Sequence, residues 1–382
     1  VRGALEPVLP ARSPGSRDAA IVCDRPRSAA ARASNCADIQ RVHEGVGGPA
    51  YTFVCMVTPR TVLIVNPMSQ GGRLGKRWAE ISDTIGRAFP YDEVFTEGPG
   101  DATRLTRDAL RAGMERVVAL GGDGTINEVV NGFFDEHARP IAPDASFAVI
   151  PFGTGGDFRR TLQLPTQLAE AAAVIAGNHR RKLDVGRLDL TAPNGDRVTR
   201  MFANIASFGV SGVVDRLVNE SGKKLGRLSF VVASARATWS YKNQRVQLVF
   251  DGTDRIDATI NTVAVANGRY FGGAMMIAPH AEVDDGKFDV IALGDFGFRD
   301  LLISGPRLFK GTHLAMDKVT ERRARVVEAE PIDPGAVVEL DVDGENLGRL
   351  PARFEVVPSV LWVVVPGPAD RRGGSTAAGD AR

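Results

Sequence analysis

The chain has 382 residues, 43% hydrophobic and 24% charged, a composition of soluble globular proteins and long enough for two domains of ordinary size. A formal net charge of +1 gives no global case for nucleic acid as a partner. No apolar run approaches the ~20 residues that cross a bilayer, so a lipid substrate would have to be met at the membrane surface. Cys23, Cys36 and Cys55 have no metal or redox spacing and argue for a reducing, cytoplasmic compartment. The five histidines are scattered, which disfavours a histidine metal site.

Residues 1–59 are rich in Ala, Arg, Ser, Gly and Pro and show no sustained period, so they read as a disordered extension. The stretch lacks the apolar core of a signal peptide, and Glu6, Asp18, Asp24, Asp38 and Glu44 weaken a transit-peptide reading. Met56 is a candidate for the true start; intact native peptides from Arg2 to Arg41 in mass spectrometry would exclude it.

Order is expected from Thr61-Val62-Leu63-Ile64-Val65, a buried strand broken by the turn formers Asn66 to Gly72. Trp78, Ile81, Ile85 and Phe89 recur at helical spacing. A strand over 91–95 and a helix over 99–111 follow, the helix opened by Pro99 and Asp101. Val117 to Leu120 is a third strand and runs into Gly121-Gly122-Asp123-Gly124-Thr125-Ile126-Asn127-Glu128, with a helix predicted over 125–134. A glycine loop between strand and helix exposes N–H groups to an anion. Asp123 would repel a phosphate, so it makes sense there mainly as the partner of a cation such as the Mg2+ that accompanies ATP. A plain tight turn is the competing reading. Neither common phosphate loop fits. A dinucleotide fingerprint needs glycine where Asn127 stands, and Gly75-Lys76-Arg77 lacks the hydroxyl of a P-loop. Phe147 to Ile150 is a fourth strand, leading into Pro151-Phe152-Gly153-Thr154-Gly155-Gly156-Asp157-Phe158. Alternating strands and helices predict a doubly wound parallel sheet. Its carboxyl edge would gather the three glycine loops, with Thr96 between them.

After Asp184 the pattern is of strands, over 187–190, 201–205, 245–250, 258–266, 287–293, 324–329, 337–342 and 354–357. These predict an antiparallel β-rich second domain, with helices over about 211–239 and 297–310. The run 360–365 returns to the first domain in this reading, and the tail from Gly367 frays. An exposed edge strand could pair two subunits as a homodimer. Two basic-apolar stretches are candidates for contact with anionic lipid. One joins Arg299, Arg307, Lys310 and Lys318 to Phe296, Phe298, Leu301, Leu302, Ile303, Leu308 and Phe309; the other joins Lys223, Lys224 and Arg227 to Leu225, Leu228 and Phe230. The plainer alternative is apolar core with a solvated basic face.

The loops, in this order, resemble the diacylglycerol kinase catalytic family of lipid kinases, particularly its soluble bacterial branch, over about 61–366. Its Asn-Pro-x-Ser-Gly loop corresponds to Asn66-Pro67-Met68-Ser69, followed by Gln70-Gly71-Gly72, and its Gly-Gly-Asp-Gly-Thr to Gly121 through Thr125. Its Pro-x-Gly-Thr-Gly-Asn-Asp-Phe corresponds to Pro151 to Phe158, with Gly156 in place of asparagine. Leu183-Asp184-Val185-Gly186, Asn267-Gly268, Gly272-Gly273, Ala278-Pro279, Ala281, Asp285-Gly286 and Asp343-Gly344-Glu345 continue the match. Glycine at 156 loses an amide contact and loosens the loop, which bears on nucleotide affinity.

The resemblance implies an α/β nucleotide-binding domain over 60–184, resembling NAD kinase and diacylglycerol kinase, and a β-sandwich lipid-substrate domain over 185–359. The activity implied is ATP-dependent phosphorylation of a hydroxyl on a diacylglycerol-like or sphingoid lipid, with Mg2+ as cofactor. Nucleotide would be held by Asn66, Ser69, Thr96, Gly121, Gly122, Asp123, Gly124, Thr125, Asn127, Glu128, Gly153, Thr154 and Gly155. Asp123 would organise the catalytic Mg2+, and Asp157 and Asp184 would serve the acceptor. Glu345 would be the general base and Asp343 its partner, since residues two apart in an extended strand share a face; a solvated hairpin turn is the alternative. Asp285 would hold a structural Mg2+ with main-chain oxygens of Glu282 and Lys287, unless the Asp-Gly pair is simply a turn. The competing functions are an NAD kinase and a nucleotide-binding regulator without catalysis.

Overall fold

The computed structural model describes residues 58–153, 155–214 and 241–368, with the side chains at 298, 299 and 301–304 left aside. The expectations for 1–57, for Thr154, for most of the helix over 211–239 with its lysines, and for the far tail lie outside these residues, as do the five excepted side chains of the first basic-apolar stretch.

Four strands open the chain in parallel: β1 (Thr61–Val65), β2 (Asp92–Phe95), β3 (Arg116–Gly121) and β4 (Ser146–Pro151), in the spatial order β4-β3-β1-β2. The inner strands are apolar over 62–65, 117–120 and 147–150 because both their faces are covered, whereas the edge strand β2 carries Asp92 and Glu93 and is largely exposed. On one face Leu63, Val65, Val118 and Leu120 meet Leu74, Ile81 and Ile85. These come from α1 (Ser69–Lys76) and α2 (Trp78–Gly86). On the other face Val62, Ile64, Val117 and Ala119 meet Ala102, Leu110, Ile126, Val129 and Val130. Those belong to α3 (Asp101–Arg111), whose buried residues Ala102, Thr106 and Leu110 recur every fourth position, and α4 (Asp123–Gly132), which is buried over most of its surface. The chain moves outward from β1 to β2, then crosses back to β3. The carboxyl ends of β1 and β3 therefore flank a switch point, where open α/β sheets bind ligands. Beyond β4 come two helices that the periodicity reading missed, α5 (Asp157–Thr161) and α6 (Leu168–Gly177).

The rest is antiparallel apart from one contact. In chain order it comprises β5 (Arg180–Thr191), β6 (Arg197–Phe202), β7 (Ile205–Gly209), β8 (Gln244–Phe250), β9 (Asp254–Ile260), β10 (Thr262–Ala266), β11 (Phe288–Leu293), α7 (Phe298–Lys310), β12 (Val319–Ala324), β13 (Val326–Pro331), β14 (Glu339–Val342) and β15 (Glu345–Val364). A second core sits between these strands, where Phe202 stacks on Phe288 at 5.5 Å and Phe208 on Phe354 at 6.0 Å between ring centroids. The fold is α/β, with a parallel core continued by antiparallel strands.

Several strand expectations need correction: that over 201–205 spans the break between β6 and β7, and that over 258–266 the break between β9 and β10. The strand predicted over 324–329 is two, β12 and β13. Conversely, the strands over 354–357 and 360–365 are one, β15, which pairs antiparallel with β5 and ends parallel to β4. Pro358 lacks an N–H for the ladder, and the register shifts between Val357 and Leu361, where Ser359 has φ 49°. The sequence shows that bulge as a break.

A candidate phosphotransfer cleft

The loops after β1, β3 and β4 are interlocked at the switch point. Asn66 donates its N–H to the Leu120 carbonyl at 3.1 Å and its side-chain amide to Thr125 Oγ1 at 2.9 Å. Its own Oδ1 accepts the Met68 N–H at 3.0 Å. Ser69, nearly buried, starts α1 and donates its N–H to the Asn66 carbonyl. Gln70, Gly71 and Gly72 are left-handed, with φ 53°, 67° and 83°, and the Gln70 amide reaches the Gly153 carbonyl at 3.4 Å. Thr96, 8% exposed, donates its N–H to the Val65 carbonyl beside them. A Cβ on Gly153 would lie 2.7 Å from Gly122 Cα, so backbone packs directly on backbone between two of the loops.

Asp123 begins α4, at the end where the helix dipole favours an anionic group. Its Oδ2 accepts the Gly156 N–H at 2.8 Å, and a Cβ on Gly155 would stand 2.6 Å from that oxygen. Its Oδ1 is buried without a hydrogen-bond partner. Burial raises its pKa, with nearby Asp157 adding to the rise, against the Gly156 and Phe158 N–H groups and the Arg160 guanidinium, which lower it. An orphaned carboxylate oxygen fits a Mg2+ that arrives with a triphosphate. No group of three His, Cys, Asp or Glu among the described residues could hold a metal, so a Mg2+ held at Asp123 would draw its other ligands from phosphate oxygens and water.

Glu345 stands across from this loop. A Cβ on Gly124 would lie 2.8 Å from Glu345 Oε1, so the carboxylate rests on the first turn of α4. Asp343 does not share its face. Asp343 and Gly344 have φ 50° and 89° and form a two-residue hairpin, with Val342 opposite Glu345. The extended-strand argument fails because the chain reverses between the two acids. Asp343 accepts hydrogen bonds from the Asn127 amide at 2.9 Å, the Ile205 N–H at 2.9 Å and the Ala203 N–H at 3.2 Å. Burial nevertheless pushes its carboxyl up to about 6.

Several residues assigned to ligands are committed elsewhere. Asn127, 4% exposed, gives its amide to Asp343 and the Met201 carbonyl. Glu128 accepts the Gly100 and Ala102 N–H groups and so caps α3. Asp157 accepts the Gly273 and Ala274 N–H groups at 2.8 and 2.7 Å and pairs with Arg160. Asp184 is 0% exposed, and its oxygens accept the Gly286 and Ser359 N–H groups, each at 2.6 Å. It is unavailable to an acceptor's head group. Asp285 Oδ1 accepts the Lys287 N–H at 3.0 Å, and Oδ2 pairs with the Arg323 guanidinium. With both oxygens engaged and a guanidinium in place, the residues do not fit a structural Mg2+. The sequence reading missed Asn131, whose side chain exchanges hydrogen bonds with the Met201 N–H and C=O; its spacing of four from Asn127 was the available signal.

Residues 60–188 match the model of the diacylglycerol kinase catalytic domain. Residues 204–365 match that of the YegS C-terminal NAD kinase beta sandwich-like domain. A diacylglycerol kinase of Staphylococcus carnosus (strain TM300) is 30% identical over 313 residues, covering 80% of this chain and 95% of that protein. The chain belongs to the diacylglycerol kinase catalytic family. Another member, the diacylglycerol kinase of Mycobacterium tuberculosis, is 27% identical over 309 residues, again 80% of this chain and 95% of the relative. A crystal structure of a diacylglycerol kinase from Bacillus anthracis str. Sterne superposes with a TM-score of 0.60 at 25% identity, covering 81% of this chain and 98% of that one. Membership makes this chain a kinase phosphotransferase. No described helix is long and apolar enough to cross a membrane.

Proposed function

We propose that the chain is an ATP- and Mg2+-dependent lipid kinase, transferring the γ-phosphate to a hydroxyl of a diacylglycerol-like or sphingoid lipid. Residues 60–184 serve as the nucleotide domain and 185–359 as the lipid-substrate domain in this reading. The observation that carries it is the Glu345 carboxylate set against Gly124, in the same turn as the half-satisfied Asp123. Phosphoryl transfer needs a neutralised triphosphate, an in-line alcohol and a proton acceptor. Mg2+, when bound, would offset the charge on the β- and γ-phosphate oxygens. Asp123 Oδ1 is the residue oxygen that would hold it. The loop N–H groups and Asn66 orient the phosphates, and Glu345 takes the proton of the acceptor hydroxyl. Asp343, Asp157 and Asp184 position these groups without touching substrate.

The reading is tested by transfer of labelled phosphate from ATP to diacylglycerol, monoacylglycerol, sphingosine, ceramide and phosphatidylglycerol in mixed micelles, with NAD in parallel. Label in one lipid supports it. Label in NADP moves the chain to NAD kinase activity. ATP binding with no labelled acceptor marks a regulator.

A further inference from the structure

Asp289 in β11 has a fully buried carboxyl, and neither of its oxygens has a hydrogen-bond partner. A charge so placed needs a counter-charge close by. The β11–β12 register sets Arg323 directly opposite, with its Nε 3.7 Å from Asp289 Oδ2. The same guanidinium pairs with Asp285 Oδ2. Asp285 opens the turn whose next residue, Gly286, gives its N–H to buried Asp184. One arginine therefore serves two aspartates at the corner that ties β5, β11 and the β15 bulge together. Glu321, two residues along β12, is paired with His280 at 3.1 Å.

We propose that Arg323 is the built-in cation of this corner, standing in for a divalent metal at Asp285. A guanidinium keeps its charge at every accessible pH and spreads it over several donors, so it can serve both carboxylates. Mg2+ would require near-octahedral oxygen ligands in the same space, against that fixed positive charge. The corner thus folds without metal, and among the described residues the demand for Mg2+ lies at the nucleotide loop. The proposal is independent of the acceptor's identity.

The test is thermal unfolding of the full chain without nucleotide, in EDTA and in excess MgCl2, for the wild type and for Arg323→Gln. The wild-type midpoint is expected to be the same in both. Arg323→Gln is expected to melt roughly 3–6 °C lower in EDTA and to recover part of that loss with Mg2+, which then reaches the freed carboxylates. A wild type that loses stability in EDTA and regains it with MgCl2 overturns the proposal. So does a variant that melts as the wild type does, or one that Mg2+ leaves unchanged. The wild-type comparison decides by itself should the variant fail to fold.

Discussion

Two carboxylates with opposite fates sit within a few residues of each other. Glu345 rests on the first turn of α4, whereas Asp343 is sunk under three donors and still has its carboxyl raised to about 6. Glu345→Gln keeps shape and removes the proposed proton acceptor, so the proposed lipid phosphorylation is expected to fall ~10²–10⁴-fold with an unchanged circular dichroism spectrum. In Asp123→Asn the amide carbonyl can still accept the Gly156 N–H, but the charge is gone. Turnover is expected to drop at least ~10²-fold, with ATP binding no longer strengthened by Mg2+ in calorimetry. Asp343 makes a separate pH prediction. A folded pKa raised from 3.8 to about 6 means the folded state binds more protons between those values. Its contribution is therefore fully present below about pH 4 and is lost as pH rises through about 6. Urea denaturation at pH 4.5 and 7 is expected to show this loss in the wild type and a smaller one in Asp343→Asn.

At the scale of elements, α4 is the part that both halves of the site share. Its N-terminus carries Asp123, its inner face packs on β3, and Asn127 and Asn131 tie it to β6 and the Asp343 turn. Glu128 joins it to α3 through the cap. The loop before α5 is where the sequence reading places a departure, Gly156, from the motif that the resemblance implies. Gly156 has φ 68°, ψ 36°, a left-handed conformation that asparagine tolerates better than other side chains. A Cβ there would lie 3.3 Å from the flexible Arg159 side chain. Gly156→Asn is expected to fold normally and to bind ATP at least as tightly, read by calorimetry. Gly153→Ala is expected to do the reverse, because its Cβ would press on Gly122 backbone that cannot yield; ATP affinity should fall ~10-fold or more.

Across the whole molecule, β15 is the strand that makes the parallel and antiparallel parts one sheet. Its bulge at Ser359 exists where Asp184 collects N–H groups from the bulge and from the Gly286 turn. Asp184→Ala would strand two donors in a buried place, and a loss of about 2–4 kcal/mol in urea denaturation is expected. Activity per folded molecule is expected to change far less than with Glu345→Gln, since Asp184 is fully buried with both oxygens hydrogen-bonded.

The chain's local chemistry alone determined that a parallel sheet comes first and strands dominate later. Apolar runs such as 62–65 and 117–120, too short for helices and bounded by glycine-rich turns, read as strands covered on both faces, and in a parallel sheet the turns after them gather at one edge. Motif order likewise made the three loops legible, because close backbone packing demands glycine at particular residues. Which carboxylate does what was not legible. Asp123, Asp157, Asp285, Asp343 and Glu345 are all acids beside glycines, Asp184 is two residues from one, and residue type cannot say whose oxygens are already taken. That is decided by long-range partners: Gly273 for Asp157, Ser359 for Asp184, Asn127 for Asp343 and Arg323 for Asp285. A carboxylate's role depends on burial and on donors far away in sequence, and these exist only once the sheet has closed.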